Sequence, residues 1–247
     1  MAQKHRFFVS PEQISRGQAF LKGGELKHLR ARRLRVGEEI ELFNGQGKRY
    51  SARIIQVGSN QAVVKITGIH QDASPLISII LGQALPKARK MDFIVQKATE
   101  LGVTTIIPFY CDRAVPRYDE KKVDARVNRW RKIAREAAKQ CGRITVPDIK
   151  EIISFRELLS LSPDSGLKLI PWEEERRRGL KGLLRRKRPS KDIFMVVGPE
   201  GGFAAEEISQ ARESGFVPVS LGKRVLRTET VALVLLSIIQ FERGDLG

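Results

Sequence analysis

The sequence predicts an α/β protein in two parts, a small β-rich N-terminal domain over residues 1–72 and a larger α/β domain over 73–247. Three observations carry this. Up to Gly68 the chain consists of short β-prone runs separated by turn residues, whereas from Leu76 onward apolar strands alternate with amphipathic helices. Between them, His70-Gln71-Asp72-Ala73-Ser74-Pro75 breaks the pattern with proline and small polar residues, as a linker does.

In the first part, the strands are expected at 6–9, 39–43, 50–57 and 62–67. Asn44-Gly45-Gln46-Gly47 and Gly58-Ser59-Asn60 stand between them as hairpin turns would, and a small barrel is the natural closure. In the second part, strands are expected at 76–81, 104–109, 167–170, 193–197 and 217–221. Met91, Ile94, Val95, Ala98 and Leu101 recur at helical spacing, with Gly102 as the stop. A second helix is expected over 119–140, with Val123, Val127, Trp130, Ile133, Ala134 and Ala137 as its buried stripe. A short helix should begin near Ala204. The last, over 230–241, is apolar nearly all round, which places it inside the domain or in a subunit interface.

Charge narrows the partners. The chain has 247 residues, with 45 Lys and Arg against 28 Asp and Glu, a formal net charge of +17 that points to a polyanion, nucleic acid first. Thirteen basic residues face five acidic ones before residue 68, most densely in Lys27-His28-Leu29-Arg30-Ala31-Arg32-Arg33-Leu34-Arg35. A second basic run extends from Arg176 to Lys191. No basic amphipathic helix or lipidation signal favours a membrane, and the longest apolar run, Val231 to Ile239, is too short to span one. Without a secretory signal pattern, the expected compartment is the cytoplasm. Two cysteines without metal or redox spacing, and three histidines confined to the first seventy residues, predict no metal site and exclude a Ser/His/Asp machine from the second domain.

Two segments depart from ordinary α/β composition. Val197-Gly198-Pro199-Glu200-Gly201-Gly202-Phe203 follows a predicted strand and is neither a Rossmann GxGxxG nor a P-loop. Leu221-Gly222-Lys223-Arg224-Val225-Leu226-Arg227-Thr228-Glu229-Thr230-Val231 follows another, with Thr228 to Thr230 read as the cap of the last helix. Two glycine-bearing loops at strand ends of one sheet suggest a shared ligand crevice.

These two motifs, in this order, resemble those of the SPOUT class of S-adenosylmethionine-dependent RNA methyltransferases, and within it the small-subunit ribosomal RNA methyltransferase E (RsmE) family. Lys97 to Val103 (KATELGV), Gln140-Cys141-Gly142-Arg143 with Pro147, and Arg6-Phe7-Phe8 add to the likeness, which covers almost the whole chain. The resemblance implies a PUA-like RNA-binding β-barrel, and an α/β domain with a C-terminal trefoil knot that forms a homodimer. It also implies methylation of uridine N3 in 16S ribosomal RNA near its 3′ end, within the 30S subunit. S-adenosyl-L-methionine would lie against Ile170 and Pro171, Gly198 to Gly201, and Leu221, Gly222, Leu226, Arg227 and Thr228. Arg227 and Glu200 form the expected catalytic pair, and Glu229 is either a second carboxylate of the site or a helix cap. Arg6, Lys27, Arg30, Arg32, Arg33 and Arg35 are expected on RNA phosphates, and Arg143 on RNA near the site. A different RNA target, transfer RNA or a ribose 2′-oxygen, or a non-catalytic ribosome-assembly factor, are the alternatives.

Overall fold

The computed structural model describes residues 5–71, 75–114, 118–163, 165–186 and 190–246. Asp72, Ala73 and Ser74 of the expected linker, and Lys187 and Arg188 of the second basic run, lie outside the described residues. The chain divides into two compact units, Met1–Ser74 with Arg135–Val146, and Pro75–Ala134 with Pro147–Gly247.

The first unit contains β1 (Arg6–Phe8), a 3₁₀ turn (Pro11–Gln13), β2 (Ile14–Ser15), β3 (Gln18–Lys22), α1 (Gly23–Ala31), β4 (Glu39–Phe43), β5 (Lys48–Val57) and β6 (Gln61–Gln71). The strands pair in the order β1-β4-β5-β6-β3-β2, all antiparallel except β1 beside β4. Alternate residues point inward, so Phe7, Leu21, Ile40, Leu42, Ile54 and Val64 meet Leu26 and Leu29 of α1 in one apolar core. Sequence reading missed β3 and α1. The helix opens on Gly23 and Gly24, poor helix formers, and buries only two residues, so it lacks a long periodic stripe.

The second unit contains β7 (Ser78–Ala84), α2 (Lys90–Glu100), β8 (Thr105–Tyr110), the first part of α3 (Glu120–Cys141), β9 (Asp148–Ile149), β10 (Ile153–Ser154), α4 (Phe155–Ser160), β11 (Leu167–Pro171), α5 (Leu180–Arg186), β12 (Asp192–Val197), α6 (Ala205–Glu213), β13 (Val217–Val219) and α7 (Thr228–Arg243). Its sheet runs β10-β8-β7-β12-β11-β13, with β9 also on β8, and every pairing is parallel. Covered on both faces, β7 and β12 are almost continuously apolar, as central parallel strands must be. Helix α4 carried a readable signal, the Ser154-x-x-Glu157 capping box, in which the Ser154 hydroxyl and backbone N–H both donate to the Glu157 carboxylate at 2.7 Å.

One expectation changes in α7. The helix begins at Thr228, with Arg227 as the N-cap residue, so the threonine is not a cap. Of its apolar residues, Ala232, Leu235, Leu236 and Ile239 are buried, while Ile238 and Phe241 are exposed. The strand expected to reach residue 221 ends at Val219, beyond which Ser220 forms an isolated parallel bridge to Gly179.

Beneath the C-terminal strand ends, Phe109, Phe155 and Phe203 stack with ring centroids 5.6 to 6.5 Å apart inside one core. Phe109 is fully buried, and truncating a buried phenylalanine costs about 3–5 kcal/mol. Phe109→Ala is therefore expected to lower the unfolding free energy of the chain by that amount in a urea titration, and a loss below about 1 kcal/mol would contradict this packing.

Candidate functional site

The strands β11, β12 and β13 all end on the same side of the sheet, where a parallel sheet opens its ligand crevice. The three segments that leave them enclose a cavity of about 620 Å³, within the range of small-molecule sites. Pro171 and Trp172 come from the first, Gly198, Pro199, Glu200, Gly202 and Phe203 from the second, and Leu221 through Thr228 from the third, with Val231 of α7 behind.

The structure thus gathers Pro171, Gly198, Pro199, Glu200, Leu221, Gly222, Leu226, Arg227 and Thr228 into one wall. It does not bring Ile170 there, since that side chain is fully buried in the core of the unit. Gly201 does not line the cavity; its carbonyl accepts a hydrogen bond from Arg113 at 3.1 Å.

Local geometry explains the glycines. A Cβ on Gly198 would fall 2.9 Å from the Phe203 ring, so any side chain there would displace the aromatic core under the pocket. Gly222 adopts φ +114°, which strains any L-residue, and leaves open space around it.

A polar chain ties the end of β7, the loop after β12 and the start of α7 together. The Thr228 hydroxyl donates to the Gly198 carbonyl at 2.6 Å and accepts from the Gln83 amide at 3.0 Å, while that amide also donates to the Ala84 carbonyl. Gln83 at the end of β7 and Thr228 are buried, while Gly198 is half-buried. A second tie lies nearer the surface. Lys90 Nζ is 2.9 Å from Glu200 and 3.2 Å from Glu229, which occupies the first turn of α7 rather than capping it. The Lys87 backbone N–H also donates to both Glu200 oxygens, at 3.2 and 3.3 Å. Burial pushes the Glu200 carboxyl up, but the hydrogen bonds from Lys90 and from backbone N–H groups outweigh it and leave its pKa below the usual value. The Glu200 hydrogen bond, against slight desolvation, raises Lys90. A carboxylate held this way is a weaker proton acceptor than a free one. Arg227 is different: it lines the cavity, is exposed, and has no carboxylate partner among the described residues. Burial, joined by the charge of Glu207, pushes the Cys111 thiol up to about 12, which removes it as a nucleophile.

Gln83, Lys90 and Trp172 escaped the sequence reading. Gln83 had a signal, a lone amide closing an otherwise apolar strand, and Trp172 adjoins the expected Pro171. Lys90 had none, because its partners lie more than a hundred residues away.

In the first unit, Lys27, Arg32, Arg33 and Arg35 are exposed. Arg30 is exposed but donates to the Gly58 and Ser59 carbonyls, at 2.6 and 2.9 Å, and so holds the β5–β6 turn. Arg6 departs from its expected place on RNA. Its side chain is 10% exposed, pairs with Glu41 at 2.6 Å, donates to the Arg143 carbonyl and lies over the Phe43 ring, so it is built into the unit. Arg143 belongs to this unit and not to the one that holds the cavity, and its guanidinium donates to the Thr145 hydroxyl at 3.2 Å.

Comparison with known proteins agrees with this architecture. Residues 72–240 match an RNA methyltransferase domain, and residues 21–67 an RNA methyltransferase PUA domain. The ribosomal RNA small subunit methyltransferase E of Bacillus subtilis is 31% identical over 97% of this chain and 99% of its own length. That of Mesomycoplasma hyopneumoniae is 32% identical over 94% and 97%. The crystal structure of the Neisseria gonorrhoeae enzyme of that name, bound to S-adenosyl methionine, superposes with a TM-score of 0.90 at 37% identity, covering 99% of this chain and 100% of that one. The chain therefore belongs to the ribosomal RNA small subunit methyltransferase E family of SPOUT-class RNA methyltransferases.

Proposed function

We propose that the chain methylates uridine N3 of 16S ribosomal RNA, in the decoding region near the 3′ end and within the 30S subunit, using S-adenosyl-L-methionine. The observation that supports this is the cavity at the ends of β11, β12 and β13, whose wall carries Arg227 beside Thr228 and the Gly198 loop, with further cations at Arg176, Lys223 and Arg224. The cavity fits the cofactor. Leu221, Leu226 and Trp172 offer apolar surface for an adenine, the Gly198 and Gly222 loops expose backbone, and both carboxylates and guanidinium groups line the space for a ligand that carries charges of both signs. When bound, the cofactor supplies a methyl group activated by its sulfonium.

The residues of the chain would then act on the uridine. N3 must lose its imide proton, which can pass to solvent at the open mouth of the cavity, as it gains the methyl group, and the negative charge that develops on the ring is what Arg227 can stabilise. Glu200 works through Lys90 and the Lys87 N–H, keeping the loop in place.

The same reading gives the units their roles. Residues 1–72 would form a PUA-like barrel that holds RNA phosphates through Lys27, Arg32, Arg33 and Arg35, and 73–247 the SPOUT domain. A trefoil knot is supported by the path of the chain after β13. Ser220 pairs with Arg178 and Leu180 of the β11–β12 connection, α7 then packs on α2 and β12, and Arg243 reaches the Leu184 carbonyl. Ile238 and Phe241 on α7, and Phe93 on the adjoining α2, are the exposed apolar residues through which a homodimer would form. No helix among the described residues is long and apolar enough to cross a membrane. The cytoplasm, where ribosomal RNA is processed, is the proposed location.

Three outcomes are expected. With labelled S-adenosylmethionine, transfer to 30S subunits or naked 16S RNA should yield N3-methyluridine on nucleoside analysis; label on a ribose or on transfer RNA alone would overturn the assignment. Arg227→Ala should lower turnover on order of 10²–10³-fold, the range for removing one group that stabilises developing negative charge, and near-normal kcat would exclude that role. Ile238→Glu with Phe241→Glu should convert a dimer to a monomer in analytical ultracentrifugation, and an unchanged sedimentation coefficient would remove this face from the interface.

A further inference from the structure

A second cavity of the same unit, of about 690 Å³, plays no part in the cofactor site. It lies between the turn that joins β7 to α2 and the N-terminal half of α3, and among the described residues Arg89, Lys122, Arg126 and Arg129 line it against a single carboxylate, Asp92. Arg129 is committed to that carboxylate through two nitrogens, at 3.0 and 2.7 Å. Arg126 lies over the Tyr118 ring at 5.1 Å. Neither Arg89 nor Lys122 has a carboxylate partner among the described residues. Lys122 and Arg126 stand four residues apart on one face of α3, about 6 Å along the helix, so their like charges repel unless an anion lies between them.

The turn that bounds this cleft also bounds the cofactor pocket. Its two ends, the Lys87 N–H and the Lys90 ammonium, are held by Glu200 of the pocket wall. Ala88 and Arg89, between those anchors, line the second cavity instead. Ala88 is in the left-handed region at φ +57°, a conformation that a non-glycine residue keeps only when its surroundings impose it. Glu200 thus imposes the shape of a turn that presents Arg89 to the cleft, next to the pocket where the target base would be held.

We infer that this cleft binds the phosphate backbone of the RNA substrate beside the reacting nucleotide, with Arg89, Lys122 and Arg126 as its contacts. The inference rests on the proposed RNA methyltransferase activity. Cations spread over a helical turn and the neighbouring loop suit a chain of phosphates better than a single small anion, and arginine and lysine there position RNA without reading its sequence.

The test uses the full chain and a fluorescently labelled small-subunit ribosomal RNA transcript, with anisotropy measured across a salt series. Replacing Arg89, Lys122 and Arg126 by glutamine should weaken binding about tenfold or more and flatten the salt slope by about two to three, since each lost phosphate contact removes roughly one. S-adenosylmethionine affinity, by calorimetry, should stay within about twofold, which also reports an intact fold. Lysine at positions 89 and 126, with Lys122 kept, should hold the affinity near wild type. Unchanged RNA affinity and slope in the glutamine variant, or a lysine variant as weak as the glutamine one, would overturn the cleft. A wild-type chain that neither binds this RNA nor transfers methyl to it would overturn the activity itself, and the cleft with it.

Discussion

The site depends on one hydroxyl. Thr228 donates to Gly198 and accepts from Gln83, so a single side chain joins the end of β7, the loop after β12 and the start of α7. Gln83 and Thr228 are buried, and breaking a buried hydrogen bond leaves a polar group unsatisfied at a cost of about 1–3 kcal/mol. The chain of bonds therefore tolerates little movement between the three segments. Much of the cavity wall hangs from them: Glu200 two residues beyond Gly198, Leu226 and Arg227 just before Thr228, and Val231 one turn later. Preorganisation of this kind is what a methyl transfer needs, since alignment of donor and acceptor supplies much of the rate.

Charge is divided according to task. Lys90 is surrounded by carboxylates and serves the architecture; Arg6 and Arg129 are likewise tied to Glu41 and Asp92. Arg227, Lys27, Arg32, Arg33, Arg35, Arg89 and Lys122 have no carboxylate partner among the described residues, and the proposed ligand contacts fall on them. A net charge of +17 by itself could not distinguish these groups, because pairing is a property of the folded chain.

Much of the fold was legible for physical reasons. The parallel strands are buried on both faces and read as apolar runs, and α2 and α3 have long stripes at helical spacing. The glycine loops announced the cavity because few functions require that composition at two strand ends. What stayed hidden was short or distant. Helix α1 begins on two glycines, β9 and β10 have two residues each, and α5 sits in a basic stretch with no clear period. Thr228 looked like a cap because threonine before an apolar run usually is one, yet tertiary contact with Gly198 claimed its hydroxyl. The roles of Lys90 and Gln83 arise from partners far along the chain, which no local pattern encodes. Arg6 shows the converse, a basic residue in a basic segment that the fold turned inward to Glu41.

The separation of Gln83, Gly198 and Thr228 along the chain has a bearing on how the protein is made. Contacts across such distances carry a large loop-closure cost and form late. During synthesis the β-rich unit and the strands up to β12 can order while the C-terminal segment is still missing, but Gly198 has no partner until Thr228 has emerged. The pocket is thus completed after nearly all of the chain exists. A nascent or prematurely terminated chain could already present its basic surfaces to RNA, yet it would hold no formed cavity in which to react.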